Sequence, residues 1–143
     1  AIKWLKTHNV TPSEVCCIYA TAPFLQEIDL QQAYLKLIEN NCNYVFSVTS
    51  YAFPIQRAIK VSANNRTKMF YPEYENTRSQ DLEESYHDAG QFYWGTTIAW
   101  LTQKSVFDLS SMTYILPRYR VQDIDTPEDW KRAELMFNIL KNT

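Results

Sequence analysis

Three segments in the first third of the chain leave few folds open. Val15-Cys16-Cys17-Ile18-Tyr19 is an unbroken apolar run of strand length. Leu30, Ala33, Tyr34, Leu37 and Ile38 then recur at helical spacing, which predicts a helix over about 27–39 ended by Asn40 and Asn41. Tyr44-Val45-Phe46-Ser47-Val48-Thr49 reads as a second strand. Strand, helix, strand implies a βαβ unit with a right-handed crossover, and so an α/β fold. The unbroken apolar character of 15–19 predicts a buried parallel strand. Open α/β sheets bind ligands at the carboxyl ends of their strands, which places Tyr19 to Leu25 at the expected site.

Beyond residue 50 the pattern changes. Pro54, Pro72 and the Asn64-Asn65 pair interrupt apolar pieces, and 58–61 and 67–70 flank the Asn pair as an expected β-hairpin. Tyr51, Phe53, Phe70, Tyr71 and Tyr74 are more aromatics than a solvated loop needs, so this excursion is expected to pack on its own core or on a second subunit. Gln91-Phe92-Tyr93-Trp94 predicts a short strand, 96–101 a helix, and 112–116 a strand ended by Pro117. A last helix is expected over about 127–141, burying Trp130, Ala133, Met136, Phe137 and Leu140. No repeat divides the chain, so 1–143 reads as one domain with the excursion at about 50–75 as an insertion.

Composition excludes several classes of function. Apolar residues make up 45% of the chain, too many for disorder. The net charge is −2 and the basic residues are scattered, which argues against nucleic acid as a partner. No apolar run has the length of a membrane span, and no signal peptide is visible. Cys16, Cys17 and Cys42 lack metal-type spacing and read as buried reduced thiols of a cytoplasmic protein. Only two glycines occur, too few for a loop that cradles phosphates. The chain has no initiating Met and opens on a helix-like piece, so it reads as part of a longer protein.

Asp123 and Asp125 stand two apart, just before a strong helix start. In an extended segment, side chains at i and i+2 share a face and could offer two hard oxygen ligands to Mg²⁺. Acidic residues at this place can also do no more than favour the positive end of the helix. Thr126 suits the N-cap, Pro127 the first helical position and Asp129 the capping box.

Three stretches in this order resemble one family. They are Tyr19-Ala-Thr-Ala-Pro-Phe-Leu25, Asn76-Thr-Arg-Ser-Gln-Asp-Leu-Glu-Glu-Ser-Tyr-His-Asp-Ala-Gly-Gln-Phe-Tyr-Trp94, and Gln122-Asp-Ile-Asp-Thr-Pro-Glu-Asp-Trp130. The family is the acylneuraminate cytidylyltransferases, which activate nine-carbon acidic sugars with CTP. Residues 54–58 and 87–94 look most like its pseudaminate branch. The resemblance covers nearly the whole chain. It implies a three-layer, Rossmann-like nucleotide-diphospho-sugar transferase fold with a mostly parallel sheet, here without its N-terminal strands and triphosphate loop. It also implies CTP and an acidic sugar as substrates, Mg²⁺ as cofactor, and a homodimer formed through the hairpin-like insertion. Sialate and deoxyoctulosonate activation, or a non-catalytic dimerising fragment of such an enzyme, are the alternatives.

The resemblance assigns residues as well. Asp123 and Asp125 match the metal-binding aspartates. Arg78 begins the Arg-x-Gln-x-Leu stretch, where a guanidinium suits a carboxylate or phosphate. Tyr19, Thr21, Gln56, Arg57, Gln80, His87, Gln91 and Tyr93 fall on its substrate side. An imidazole can also serve as a general base near neutral pH, so His87 reads either that way or as a polar spacer. Relatives that act on sialate carry a glutamine and an arginine after the first of these strands. Both are absent from 19–25, so a less polar sugar pocket is expected there.

Overall fold

A computed structural model describes residues 1–141. The elements are α1 (Ile2–Thr7), β1 (Glu14–Ile18), α2 (Glu27–Glu39), β2 (Tyr44–Ser50), β3 (Ile59–Val61), β4 (Thr67–Met69), β5 (Tyr86–Thr96), α3 (Thr97–Leu101), β6 (Ser111–Ile115) and α4 (Pro127–Lys141). The main sheet has the order β1-β5-β2-β6, and β3 and β4 form a separate antiparallel hairpin.

The α/β character holds, and the mostly parallel sheet does not. β1 pairs antiparallel with β5, β5 antiparallel with β2, and only β2 with β6 is parallel. The first two strands do run in the same direction, as a crossover requires, but β5 lies between them. β1 is correspondingly an edge strand among the described residues, not a buried one, and its last two residues are exposed. Of the thiols, Cys42 is buried, Cys16 is half-buried and Cys17 is exposed; all three are free. Burial, followed by the neighbouring Cys17, pushes the Cys16 thiol up to about 12, so it stays protonated.

The alternation of β2 and β5 splits the core between two faces. Val45 and Phe92 meet Ala33 and Leu37 of α2, with Trp94, Met112 and Tyr114 packed around them. Phe46, Val48 and Tyr93 face the other way, against Trp100 and Val106. Helix α2 ends where the Asn pair predicts, because Asn41 takes the left-handed conformation that stops a helix (φ 46°). Its first turn is locked by a pair far apart in sequence. Arg120 holds Asp29 bidentately, Nη1 to Oδ2 at 2.6 Å and Nη2 to Oδ1 at 3.0 Å, with the two side chains 13% and 1% exposed.

β5 is much longer than the predicted 91–94 and carries a large bulge. Between the pairs Phe46–Tyr93 and Val48–Asp88, β2 contributes Ser47 alone while β5 contributes residues 89–92. Ser47 Oγ caps the irregularity by accepting from the Gln91 and Phe92 amides at 3.3 and 3.2 Å and donating to the Phe92 carbonyl at 3.3 Å. Gly90 supplies the left-handed backbone the bulge needs (φ 60°).

Helix α4 forms over the expected residues, and its apolar side does not bury as expected. Ala133 alone is buried; Met136 and Leu140 are half-buried, and Trp130 and Phe137 are 58% and 51% exposed. The hairpin excursion is likewise open, with Phe53, Ile59, Val61 and Phe70 exposed. It makes no apolar core of its own.

Candidate active site

The bulge of β5 and the segment leading into α4 face one another across a groove of about 500 Å³. Its walls are Tyr19, residues 87–90, residues 121–123 and Arg132. The groove therefore brings together Tyr19, His87 and Asp123, which lie far apart in sequence.

Each wall is held by identifiable bonds. The Asp88 carboxylate closes the bulge from within: Oδ1 accepts the Gly90 amide at 2.8 Å and Oδ2 accepts the Tyr93 hydroxyl. Burial first, then the bonds to Asp88 and Tyr19, raises the Tyr93 pKa well above the usual phenol range, so this hydroxyl remains a donor. The Tyr93 ring also lies 5.3 Å from that of Tyr19. The His87 ring packs 4.8 Å from Tyr51, and its Nδ1 lies 2.9 Å from the Asp88 carbonyl. A carbonyl can only accept, so Nδ1 carries the proton in that contact and Nε2 is the open nitrogen of the neutral ring.

The opposite wall hangs from the Asp29–Arg120 pair. Gln91 is buried in β5, and its Nε2 donates to the Arg120 carbonyl at 2.6 Å, while its Oε1 is buried without a partner. Strand β5, helix α2 and the 118–120 turn thus converge immediately before Val121. Asp123 follows, with Oδ1 accepting the Ile124 amide at 3.1 Å and its own carbonyl accepting Gln122 Nε2 at 2.7 Å. The capping box forms as predicted: the Thr126 amide donates to Asp129 at 3.0 Å, and the Asp129 amide donates to the Thr126 hydroxyl at 3.2 Å. The chain bends at Asp125 as it enters this cap, so the strand geometry that would put Asp123 and Asp125 on one face stops there. Both carboxylates are exposed, and Asp123 is the one that lines the groove.

That donor set fits Mg²⁺. Among the described residues no three His, Cys, Asp or Glu side chains assemble into a metal cage. Mg²⁺ is characteristically held by one or two carboxylates, with water and substrate phosphate completing its shell.

The remaining expected site residues lie outside the groove walls. Thr21 is exposed on a loop, and Gln80 is exposed on a single 3-10 turn, Ser79–Asp81. Gln56 donates to the Glu83 carbonyl at 3.3 Å. Arg57 gives its two terminal nitrogens to the Glu75 carbonyl, at 2.9 Å, and to the Thr77 carbonyl. Arg78 pairs with Asp81 at 2.9 Å on the surface. Conversely, Asp88 and Arg132 line the groove without having been singled out. Asp88 carried a local signal, since Asp two residues before Gly is turn chemistry. Arg132 carried none, because on a helix it reads as surface.

No family model matches the chain. It is 43% identical over 139 residues to the pseudaminic acid cytidylyltransferase of Campylobacter jejuni, covering 97% of this chain and 60% of that protein. A Helicobacter pylori protein is 36% identical over 110 residues, which is 76% of this chain and 21% of the relative. Its name joins pseudaminic acid cytidylyltransferase with UDP-2,4-diacetamido-2,4,6-trideoxy-beta-L-altropyranose hydrolase. The N-acylneuraminate cytidylyltransferase B of Danio rerio is 28% identical over 123 residues, 84% of this chain and 28% of the relative. These likenesses and the α/β sheet define the class: the chain is homologous to sugar-acid cytidylyltransferases. More narrowly, it is homologous over 97% of its length to the pseudaminic acid cytidylyltransferases of Campylobacter jejuni, and spans 60% of the length of those relatives.

Proposed function

We propose that the protein to which this chain belongs transfers a cytidylyl group from CTP to pseudaminic acid, giving the CMP-sugar and pyrophosphate. The observation that carries this reading is the groove, which joins Tyr19, His87 and Asp123 in a chain 43% identical to enzymes of that name. The sugar hydroxyl attacks the α-phosphorus, an O–P bond forms, and the bond to the pyrophosphate leaving group breaks. Such a displacement needs in-line positioning and relief of phosphate charge. Asp123, the carboxylate on the groove wall, would hold Mg²⁺, with Asp125 turned toward the same ion once it binds, and the ion would supply that charge relief. Tyr19 and the bulge at 87–90 shape the opposing wall for the sugar, and Asp88 keeps that wall in place through Gly90 and Tyr93. The exposed apolar hairpin is proposed as a homodimer contact, and the fold as that of the nucleotide-diphospho-sugar transferases. Among the described residues no helix is long and apolar enough to cross a membrane, which suits a cytoplasmic enzyme with these substrates.

A chimera in which this chain replaces the 139 aligned residues of the Campylobacter jejuni enzyme provides the test. CMP-sugar formation is expected, and Asp123→Asn or Asp125→Asn should each lower kcat by about 10²-fold or more, the scale of losing a charge-stabilising group. Turnover and Mg²⁺ requirement that survive both substitutions would overturn the reading. The Danio rerio relative's name points to a second sugar. Comparing pseudaminic acid, N-acetylneuraminic acid and deoxyoctulosonate as substrates decides between them.

A further inference from the structure

A groove that admits an acidic ligand past two carboxylates, Asp88 and Asp123, needs a cation on its wall. Arg132 is the basic side chain there. It lies in the second turn of α4, where two acidic neighbours could have neutralised it. Glu128 precedes it by four residues, in the order that favours an ion pair along a helix, and Asp129 precedes it by three. Neither closes to ion-pair distance, although the Arg132 charge lies near enough to Asp129 to help lower its pKa: among the described residues the ion pairs are Arg78–Asp81 and Arg120–Asp29.

Asp129 has other work. Its Oδ1 accepts Gln122 Nε2 at 3.3 Å, and its Oδ2 accepts the Thr126 hydroxyl and amide at 2.7 and 3.0 Å and the Asp125 amide at 3.4 Å. The capping network thus occupies the hydrogen-bonding positions of Asp129, so its attraction for Arg132 acts through space and leaves the guanidinium donors unspent on it. It also ties the start of α4 to Asp123, because Gln122 donates both to Asp129 and to the Asp123 carbonyl. Meanwhile Arg57, offered by the sequence for an anion, gives its terminal nitrogens to backbone carbonyls, and Arg78 pairs with Asp81 on the surface, outside the groove walls.

We propose that Arg132 is the anion-binding residue of this groove, receiving an anionic oxygen group of a substrate opposite Asp88 and beside Asp123. A guanidinium offers paired donors that match either the carboxylate of the sugar or a phosphate of the nucleotide. The inference rests on the cytidylyltransferase reading and names a residue that reading does not require.

The same chimera separates the two sources. Arg132→Gln should raise KM for one substrate about tenfold or more while kcat changes less than about threefold, the pattern of lost uniform binding. Arg132→Lys should recover part of that loss, since it keeps the charge and gives up the fork. A raised KM for the sugar identifies its carboxylate, and a raised KM for CTP identifies a phosphate. If both KM values stay unchanged, or if kcat alone falls, Arg132 does not bind the anion. Calorimetry on the 143-residue chain, with pseudaminic acid and with inorganic pyrophosphate as probes, judges Arg132 even where the chimera makes no CMP-sugar. There Arg132→Gln should weaken one probe in a salt-sensitive way, and equal affinities for both probes before and after would overturn the proposal. Loss of turnover in the Asp123 and Asp125 variants with intact Arg132 effects, or the reverse, keeps the two readings apart.

Discussion

Helix α2 begins with the Asp29 carboxylate receiving the Gln26 amide at 3.3 Å, and helix α4 with the Asp129 carboxylate receiving the Thr126 amide at 3.0 Å. Both then carry apolar residues at helical spacing. From there they diverge. Asp29 is buried and held by Arg120, 91 residues away, and α2 buries Ala33 and Leu37 against the sheet. Asp129 hydrogen-bonds within its own cap and to Gln122, all close in sequence, and α4 buries Ala133 alone. An amphipathic pattern states which side of a helix is apolar; it does not state what covers that side. In this molecule a distant cation and a sheet face decide the matter for α2, and the rim of the molecule is left to local chemistry.

The contrast predicts a ladder of effects. Arg120→Met leaves the buried Asp29 carboxyl without its cation and should cost about 3–5 kcal/mol in urea unfolding. Pairing it with Asp29→Leu should recover most of that loss, whereas a single-variant cost under about 1 kcal/mol would erase the distinction between core and rim.

The two glycines come next, one in each region. At Gly95 a methyl group would stand 2.5 Å from the Tyr44 ring and 2.7 Å from Trp100 Nε1, so Gly95→Ala should lose about 1–3 kcal/mol by overpacking. At Gly90 a methyl group meets nothing within 4 Å, and only the left-handed backbone objects, so Gly90→Ala should lose about 1–2 kcal/mol. A shortened residue opposite Gly95, such as Tyr44→Ala, should relieve the first defect relative to its own background and leave the second untouched.

Thr126→Ala should have the smallest effect, about 1 kcal/mol from the lost cap. Folding lowers the Asp129 pKa, chiefly through the Thr126 hydroxyl. The resulting stabilisation is complete above the unfolded carboxylate range and disappears as pH falls through the folded value. The helical circular dichroism signal should therefore decline in acid, and the decline should be shallower in Thr126→Ala. An acid response identical in the two proteins would mean that the cap does not set this titration.

Local chemistry was legible in the sequence wherever it sufficed. The Asn pair ending α2, the Asn turn of the hairpin and the Thr126-Pro127 helix start all fell where turn and cap preferences put them. Strand order was not, because the place of β5 depends on pairing with two strands far before it in sequence. Its full length was hidden too, since the polar run around His87 and Gly90 resembles a loop and is a bulge. In the site, Tyr19, His87 and Asp123 could be nominated by residue type and position. Arg57, Arg78 and Arg132 offer the same chemistry, and only three-dimensional partners distinguish a bracing arginine from one left open to a ligand.

Because β5 spends four residues, 89–92, against the single residue Ser47, it holds three more than a straight pairing would use. Those surplus residues give the sheet slack: the wall of the groove can vary in composition while the neighbouring rungs at 44–46 stay in step. Trimming the surplus would let the strands zip flush, yielding a more regular sheet with nowhere for a substrate to sit.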